Sequence, residues 1–381
     1  MTIKYLEGLN GLRALLATLV ILRHGWQSVD KLGLVQGQAM PFLFVRGMAA
    51  VDFFFTLSGF LITYLLLQEK ATTGTISLRR FYLRRIYRIW PPYFVVVIIG
   101  FLFFGVVYPR LFGSRYFDFD IGQGLLLYIF FLSNLASSFF RTGLMHPLWS
   151  IGVEEQFYLV WAPVMKWAGS RTLLAVAIFV LATTAFHVIF QGEFFFWSEP
   201  MEEFLGTLRY HYMAIGSLTA LVLFNWGEAY CRSFVANRWA QGVVFSLIVS
   251  YYCFHLPIPD LGIAVLYGLA ILSLSVAPKR LLNLEWEPLV YLGKVSYGLY
   301  IYHMLADYPL RLAFAKLHLV NTPNDFLAAG YCIILVFFTI LIAHISYRYF
   351  ESPFLRLGHS STKPSPFRGD PSSSVQASAI K

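Results

Sequence analysis

Charge is scarce in this sequence. Only 13% of its 381 residues are Asp, Glu, Lys or Arg, against roughly 25% in a soluble globular domain. That shortage excludes a fold kept in solution by a charged surface. Acidic residues are the scarcer sign, 20 against 29 basic, for a formal net charge of +9. Cysteine is confined to Cys231, Cys253 and Cys332. Their spacing suits neither a metal site nor a redox pair, so no disulfide framework and no metal are expected. HExxH, P-loop and GxSxG patterns and Gly-rich loops are missing too, which removes those nucleotide-binding and hydrolase readings.

What is present is apolar. Hydrophobic residues make up 58% of the chain and aromatics 18%. Apolar runs of about 20 residues recur, enough to cross ~30 Å of hydrocarbon at ~1.5 Å per residue. Their even spread argues for one all-α polytopic bundle rather than two or three domains. Ten spans are predicted, near 9–28, 46–68, 88–108, 149–167, 171–190, 206–225, 236–254, 260–277, 289–308 and 326–348. The N-terminus resembles a signal peptide, but Arg23 and His24 interrupt it and no small-residue cleavage site follows, so it reads as helix one.

The excess positive charge fits cytoplasmic loops, which orient membrane proteins, rather than nucleic acid. The loop "QEKATTGTISLRRFYLRRIYR" carries Lys70 and five arginines against Glu69, and is expected inside. The basic stretches "VMKWAGSR", "CRSFVANR" and "APKR" are expected inside as well, and the acidic "EFFFWSEPMEEF" outside. Both termini are then cytoplasmic, provided that 121–140 does not span. Ser133, Asn134, Ser137 and Ser138 suit a re-entrant or interfacial piece there. The polar, Pro/Ser-rich residues 356–381 read as a disordered cytoplasmic tail.

Three polar groups interrupt the apolar pattern. In "LNGLRALLATLVILRHGW", eleven residues separate Arg13 from His24. At ~100° per residue they lie within ~20° of one helix face, roughly 16 Å apart along the axis. Spacing alone leaves two readings, a functional pair or snorkelling to the two headgroup layers. The second group, "LRRFYLRRIYRIWPP", places Arg79, Arg80, Arg84, Arg85 and Arg88 together without a lysine. Orientation alone would account for charge, whereas arginine specifically favours bidentate contact with phosphate. Pro91 and Pro92 suit a first helical turn, which puts Arg85 and Arg88 just before a helix start. The third, "HPLWSIGVEEQFYLVWAP", sets Glu154, Glu155 and Gln156 in an apolar helix, where they face a cavity or pair with a buried cation. Weaker signals are Asp52 at a span's outer end, the close-packing pair Ser58–Gly59, and His303 in "VSYGLYIYHML". His187, His211, His255 and His344 stand in no motif.

Taken in order, these elements resemble the acyltransferase family 3 integral-membrane proteins. "GLRALLATLVILRH" is similar to the family's R-x10-H element, carried here by Arg13 and His24. "VDFFFTLSGFLI" is similar to its second-helix motif, "FYLRRIYRIWPPY" to its RxxR element at Arg85 and Arg88, and "SYGLYIYH" to its late-helix histidine, His303. "LWSIGVEEQFYLVWAP" resembles the fifth-region motif, with Ala162 inserted before the proline. The likeness runs from about residue 5 to 355, and 1–355 reads as the membrane acyltransferase domain. Asn10 departs from the usual aspartate, and Arg23 from the usual apolar or aromatic residue. Some relatives carry a fused periplasmic esterase-like domain, and none is expected here.

The resemblance implies a multi-pass protein of the bacterial inner membrane that O-acylates a carbohydrate or lipid-linked glycan. It implies acyl-CoA, acetyl-CoA first, as co-substrate, membrane lipid as surroundings, and no nucleic-acid partner. Expected catalytic residues are His24, Arg13, Glu154 and Glu155. Arg84, Arg85 and Arg88 are expected to hold the donor, and Asp52, Trp149, Gln156, Tyr158 and His303 to line the substrate route. Two other classes stay open from the residues, a transporter of a polar solute or glycan and a non-catalytic acyl-CoA sensor.

Overall fold

In the computed structural model the chain is described at residues 6–35, 47–117, 120–190, 197–235, 237–254, 256–277 and 280–360. Regular structure among them is helical. The elements that frame the site come from the start, the middle and the end of the chain. The first are α1 (Leu9–Lys31), α2 (Gly47–Thr73) and α3 (Leu78–Leu102), which runs through a π-helical turn (Phe103–Val107) into α4 (Tyr108–Phe112). Two short helices follow, α5 (Ile121–Ile129) and α6 (Ser133–Phe139), before α7 (Leu148–Trp167) and α8 (Thr172–Phe190). Then come α9 (Glu199–Thr207), α10 (Tyr210–Val235), α11 (Arg238–Phe254) and α12 (Asp260–Val276). The last group is α13 (Glu287–Lys294), α14 (Ser296–Lys316) and α15 (Asp325–Ile345), with α16 (Ser352–Ser360) after a second π turn.

By length and composition, four helical runs among the described residues can cross a membrane: 47–73, 78–112, 169–190 and 325–358. Their burial separates two roles. The most apolar window of 47–73 is 78% buried and that of 169–190 only 6%, so α2 is a core helix while α8 turns most of its surface outward. α1, α7 and α14 are 23, 20 and 21 residues long. They are long enough, at ~1.5 Å per residue, but carry the charged and polar groups that lower their apolar character. α1 lies at the centre, packed against α2, α13, α14 and α15. It starts at Gly8, whose φ of 80° turns the chain and whose amide N–H donates to the Glu285 carboxylate.

Three predicted boundaries change. The span expected from 88 begins at Leu78, with the Ser77 hydroxyl accepting from the Arg80 amide. Pro91 and Pro92 therefore sit inside α3, and Arg85 and Arg88 lie on the helix rather than before it. The prolines remove two ladder bonds, and Tyr297 OH donates to the Ile89 carbonyl beside them at 2.8 Å. The span expected at 289–308 is divided at Val295 into α13 and α14. Residues 121–140 form two short helices turned at Phe131, whose φ is 56°. α6 buries Ser133, Asn134, Ser137 and Ser138, with the Ser133 hydroxyl donating to the Leu148 carbonyl at 2.7 Å. The tail expected from 356 starts as helix to Ser360; 361–381 lie outside the described residues.

α2 and α10 approach closely because glycines meet there. A Cβ on Gly59 would lie 2.0 Å from the Met213 carbonyl oxygen, and one on Gly216 2.0 Å from that of Thr56. Small residues let membrane helices make such contacts. A hydrogen-bond chain ties the seam to α7: Trp161 Nε1 donates to Thr63 Oγ1 at 2.8 Å, and that hydroxyl donates to Ser217 Oγ at 2.9 Å. Gly216→Ala is expected to force the helices apart and cost about 1–3 kcal/mol through overpacking. A fall in the melting temperature of the detergent-solubilised protein checks this. An unchanged melt would mean that the seam yields freely.

Candidate active site

Five helices enclose a cavity of about 410 Å³, within the ~300–1,000 Å³ usual for small-molecule sites. α1 contributes Asn10 and Arg13, α2 Ser58, α3 Arg85 and Arg88, α7 Ser150, Glu154 and Tyr158, and α14 Ser296, Tyr297 and Tyr300. The lining is otherwise mostly aliphatic and aromatic. Arg85 and Arg88 are one helical turn apart, so both reach the same space. None of the three arginines is held in an ion pair with a described carboxylate. The Arg85 guanidinium instead rests 5.8 Å from the Phe81 ring and 5.7 Å from the Tyr158 ring. Its Nε is buried without a hydrogen-bond partner among the described residues. Opposite them, Glu154 accepts from Ser58 Oγ at Oε1 and from Tyr158 OH at Oε2, both at 2.8 Å. Both of its carboxylate oxygens are thus occupied by donated bonds on the wall that faces the arginines.

Beyond the cavity lies a pair of histidines. His24 of α1 and His303 of α14 have ring centroids 4.8 Å apart. His24 Nδ1 meets the Val20 carbonyl at 3.0 Å, and His303 Nδ1 the Tyr300 carbonyl at 2.5 Å. A carbonyl only accepts, so in the uncharged rings each Nδ1 carries the proton and each Nε2 keeps its lone pair. His303 is fully buried, and its Nε2 has no partner among the described residues. His24 is partly accessible. Tyr300 joins the two regions: its hydroxyl bonds Ser150 Oγ at 2.6 Å in the cavity wall, and its ring lies 6.0 Å from that of His303.

A family model described as an acyltransferase domain matches residues 6–347. The chain belongs to this acyltransferase family. Its relatives include a peptidoglycan O-acetyltransferase, OatA, of Listeria monocytogenes, 24% identical over 381 residues that cover 93% of this chain and 56% of the relative. A putative peptidoglycan O-acetyltransferase, YrhL, of Bacillus subtilis is 27% identical over 94% of this chain and 56% of its own. The O-acetyltransferase OatA of Staphylococcus aureus is 25% identical over 93% of this chain and 58% of its own. The chain thus spans about half the length of the curated relatives it matches. No solved structure matches it.

The other expected site residues divide by where their helices point them. Arg84, one residue before Arg85, turns away from the cavity and pairs with Glu69 at 3.4 Å, beside Arg80 at 3.0 Å. It clamps α2 to α3 instead of lining the cavity. Glu155 points into a second cavity of about 270 Å³ with Trp90, whose Nε1 donates to it at 3.3 Å. Arg85 and Tyr158 line both cavities. Gln156 donates to the Phe131 carbonyl and to Asn134 Oδ1, each at 3.0 Å, and accepts from Tyr210 OH at 2.7 Å. Its hydrogen bonds hold the α5–α6 turn and α10 against α7. Asp52 is 3% exposed and paired with Arg209 at 2.9 Å, which locks α2 to the start of α10. Trp149 packs edge-on against Phe55 at 5.9 Å and is not in the cavity lining. The Arg23 stem lies over Gly47 of α2.

Sequence reasoning passed over Tyr300, Ser150 and Arg209. Tyr297, Tyr300 and His303 recur at three-residue spacing, which puts them along one side of α14. That stripe was the signal for Tyr300. Arg209 had none, because its partner Asp52 is far away in the chain.

Proposed function

We propose that this chain transfers an acyl group, acetyl in the first instance, from cytoplasmic acyl-CoA to a sugar hydroxyl of a cell-surface or exported glycan. One observation carries the reading: three arginines in no ion pair with a described carboxylate share a cavity that Tyr300 joins to two histidines with Nε2 lone pairs. Arg85 and Arg88 bind the phosphates of coenzyme A, since guanidinium donors match phosphate oxygens. Arg13 lines the route of the pantetheine arm, with Glu154 balancing the local charge. The thioester comes to rest beside His24. The acceptor hydroxyl attacks the thioester carbonyl while His24 Nε2 takes its proton. The C–S bond then breaks, and coenzyme A leaves as the thiol after receiving a proton. The expected arrangement is ten spans with both termini cytoplasmic, in the bacterial inner membrane. Such a wall of protein keeps bulk water from the thioester. The relatives' printed names make peptidoglycan the first acceptor to try.

Membrane vesicles of known orientation test this. Acetyl-labelled coenzyme A is supplied at the cytoplasmic face and label is followed into glycan and protein fractions. Label in glycan is the expected result. No transfer from acetyl-, succinyl- or longer acyl-CoA into any native glycan extract, with the protein folded, would sink the reading.

A further inference from the structure

A second cluster lies apart from the cavity, where α8 ends and α10 and α12 begin. His187 is in the last turn of α8, His211 is the second residue of α10, and Asp260 is the first of α12. One ligand atom from each lies within 4.8 Å of the others. His187 Nε2 is 3.7 Å from Asp260 Oδ2, and the two imidazole rings have centroids 4.1 Å apart. We propose that His187, His211 and Asp260 bind one divalent first-row transition-metal ion, Zn²⁺ in the first instance.

Three features carry this. First, His211 is 1% exposed, and neither ring nitrogen has a hydrogen-bond partner among the described residues. A buried imidazole left in that state is destabilising, and a metal would take up one of its lone pairs. Second, two imidazoles and one carboxylate are a donor set for zinc, with a further position left to water. Zinc bonds of about 2.0–2.2 Å in a tetrahedron put neighbouring ligand atoms about 3.3 Å apart. Small side-chain rotations close the separations to that value. Third, the charge suits a cation. Asp52 takes up Arg209 at 2.9 Å, and Asp260 sets a carboxylate 3.7 Å from the His187 imidazole, so the cluster offers a cation one carboxylate beside two imidazoles. His187 and Asp260 are 23% and 33% exposed, so an ion has a way in, while the Tyr212 ring closes the inner side at 4.4 Å from His211.

The site has a mechanical use. α8 buries little of its surface in the bundle, and a shared ion would pin its end to α10 and α12. The test uses the full chain in detergent, stripped with a chelator and titrated with Zn²⁺. One bound zinc per chain is expected, with a melting temperature several degrees higher than in the stripped protein. Asp260→Asn and His187→Gln, at partly exposed positions, should melt like stripped wild type and lose both effects; His211→Ala should lose them too. His24→Ala should keep both. Wild type that takes up no stoichiometric zinc, or Asp260→Asn and His187→Gln that bind it as wild type does, would overturn the proposal.

Discussion

His24→Ala is expected to lower acyl transfer by about 100- to 10,000-fold, the range that a positioned general base supplies. The change removes the Nε2 lone pair that the Val20 carbonyl bond makes available. His24 is partly accessible, so the loss should fall on kcat with little change in the melt. Turnover of labelled donor into glycan, at matched protein levels, reads it. Transfer within about threefold of wild type would remove His24 from the chemistry. His303 provides a contrast: it lies against the same ring but is wholly enclosed. A donor-only incubation adds a second reading. Label bound to wild-type protein and missing from His24→Ala would make the imidazole a nucleophile rather than a base.

Arg85→Ala should act on the other end of the path. A hydrogen bond to a charged group contributes about 1.5–3 kcal/mol, so the KM for acyl-CoA is expected to rise roughly 10- to 100-fold. The kcat should change less, because the phosphates lie far from the bond that breaks. Arg85→Lys keeps the charge but loses the planar fork and should recover only part of the affinity. Arg84→Ala is the internal control. Arg84 pairs with Glu69 outside the cavity, so its loss should leave the KM for acyl-CoA unchanged. Equal KM effects at Arg84 and Arg85 would mean that the basic segment attracts the donor by charge alone.

The motifs stood out in the sequence because charge in an apolar run is conspicuous. Arg13, Arg85, Arg88 and Glu154 were named from that contrast, and they share one cavity. The periodicity of helix one also put Arg13 and His24 on one side, but not the side chain between the cavity and the imidazoles. Tyr300 shows only through its three-residue stripe with Tyr297 and His303, a faint signal in a chain where tyrosines are common. Adjacent residues were harder to tell apart. Arg84 and Arg85, or Glu154 and Glu155, differ by ~100° of rotation, and only the packing of α2, α3 and α7 decides which of each pair reaches the cavity. The helix start at Leu78 was hidden by Pro91 and Pro92, which signal a boundary in most sequences. Here they lie within α3, beside the carbonyl that Tyr297 bonds.

The neighbours of α1 carry a consequence for how the protein is made. Three of the helices packed on this helix, α13, α14 and α15, are made more than 250 residues after it. The histidine pair joins residues 24 and 303, so no nascent chain that stops short of α14 can contain it. Until then the arginines and the imidazole of α1 lack the walls that later surround them. The histidine pair and its cavity are complete only once α14 and α15 have closed around α1.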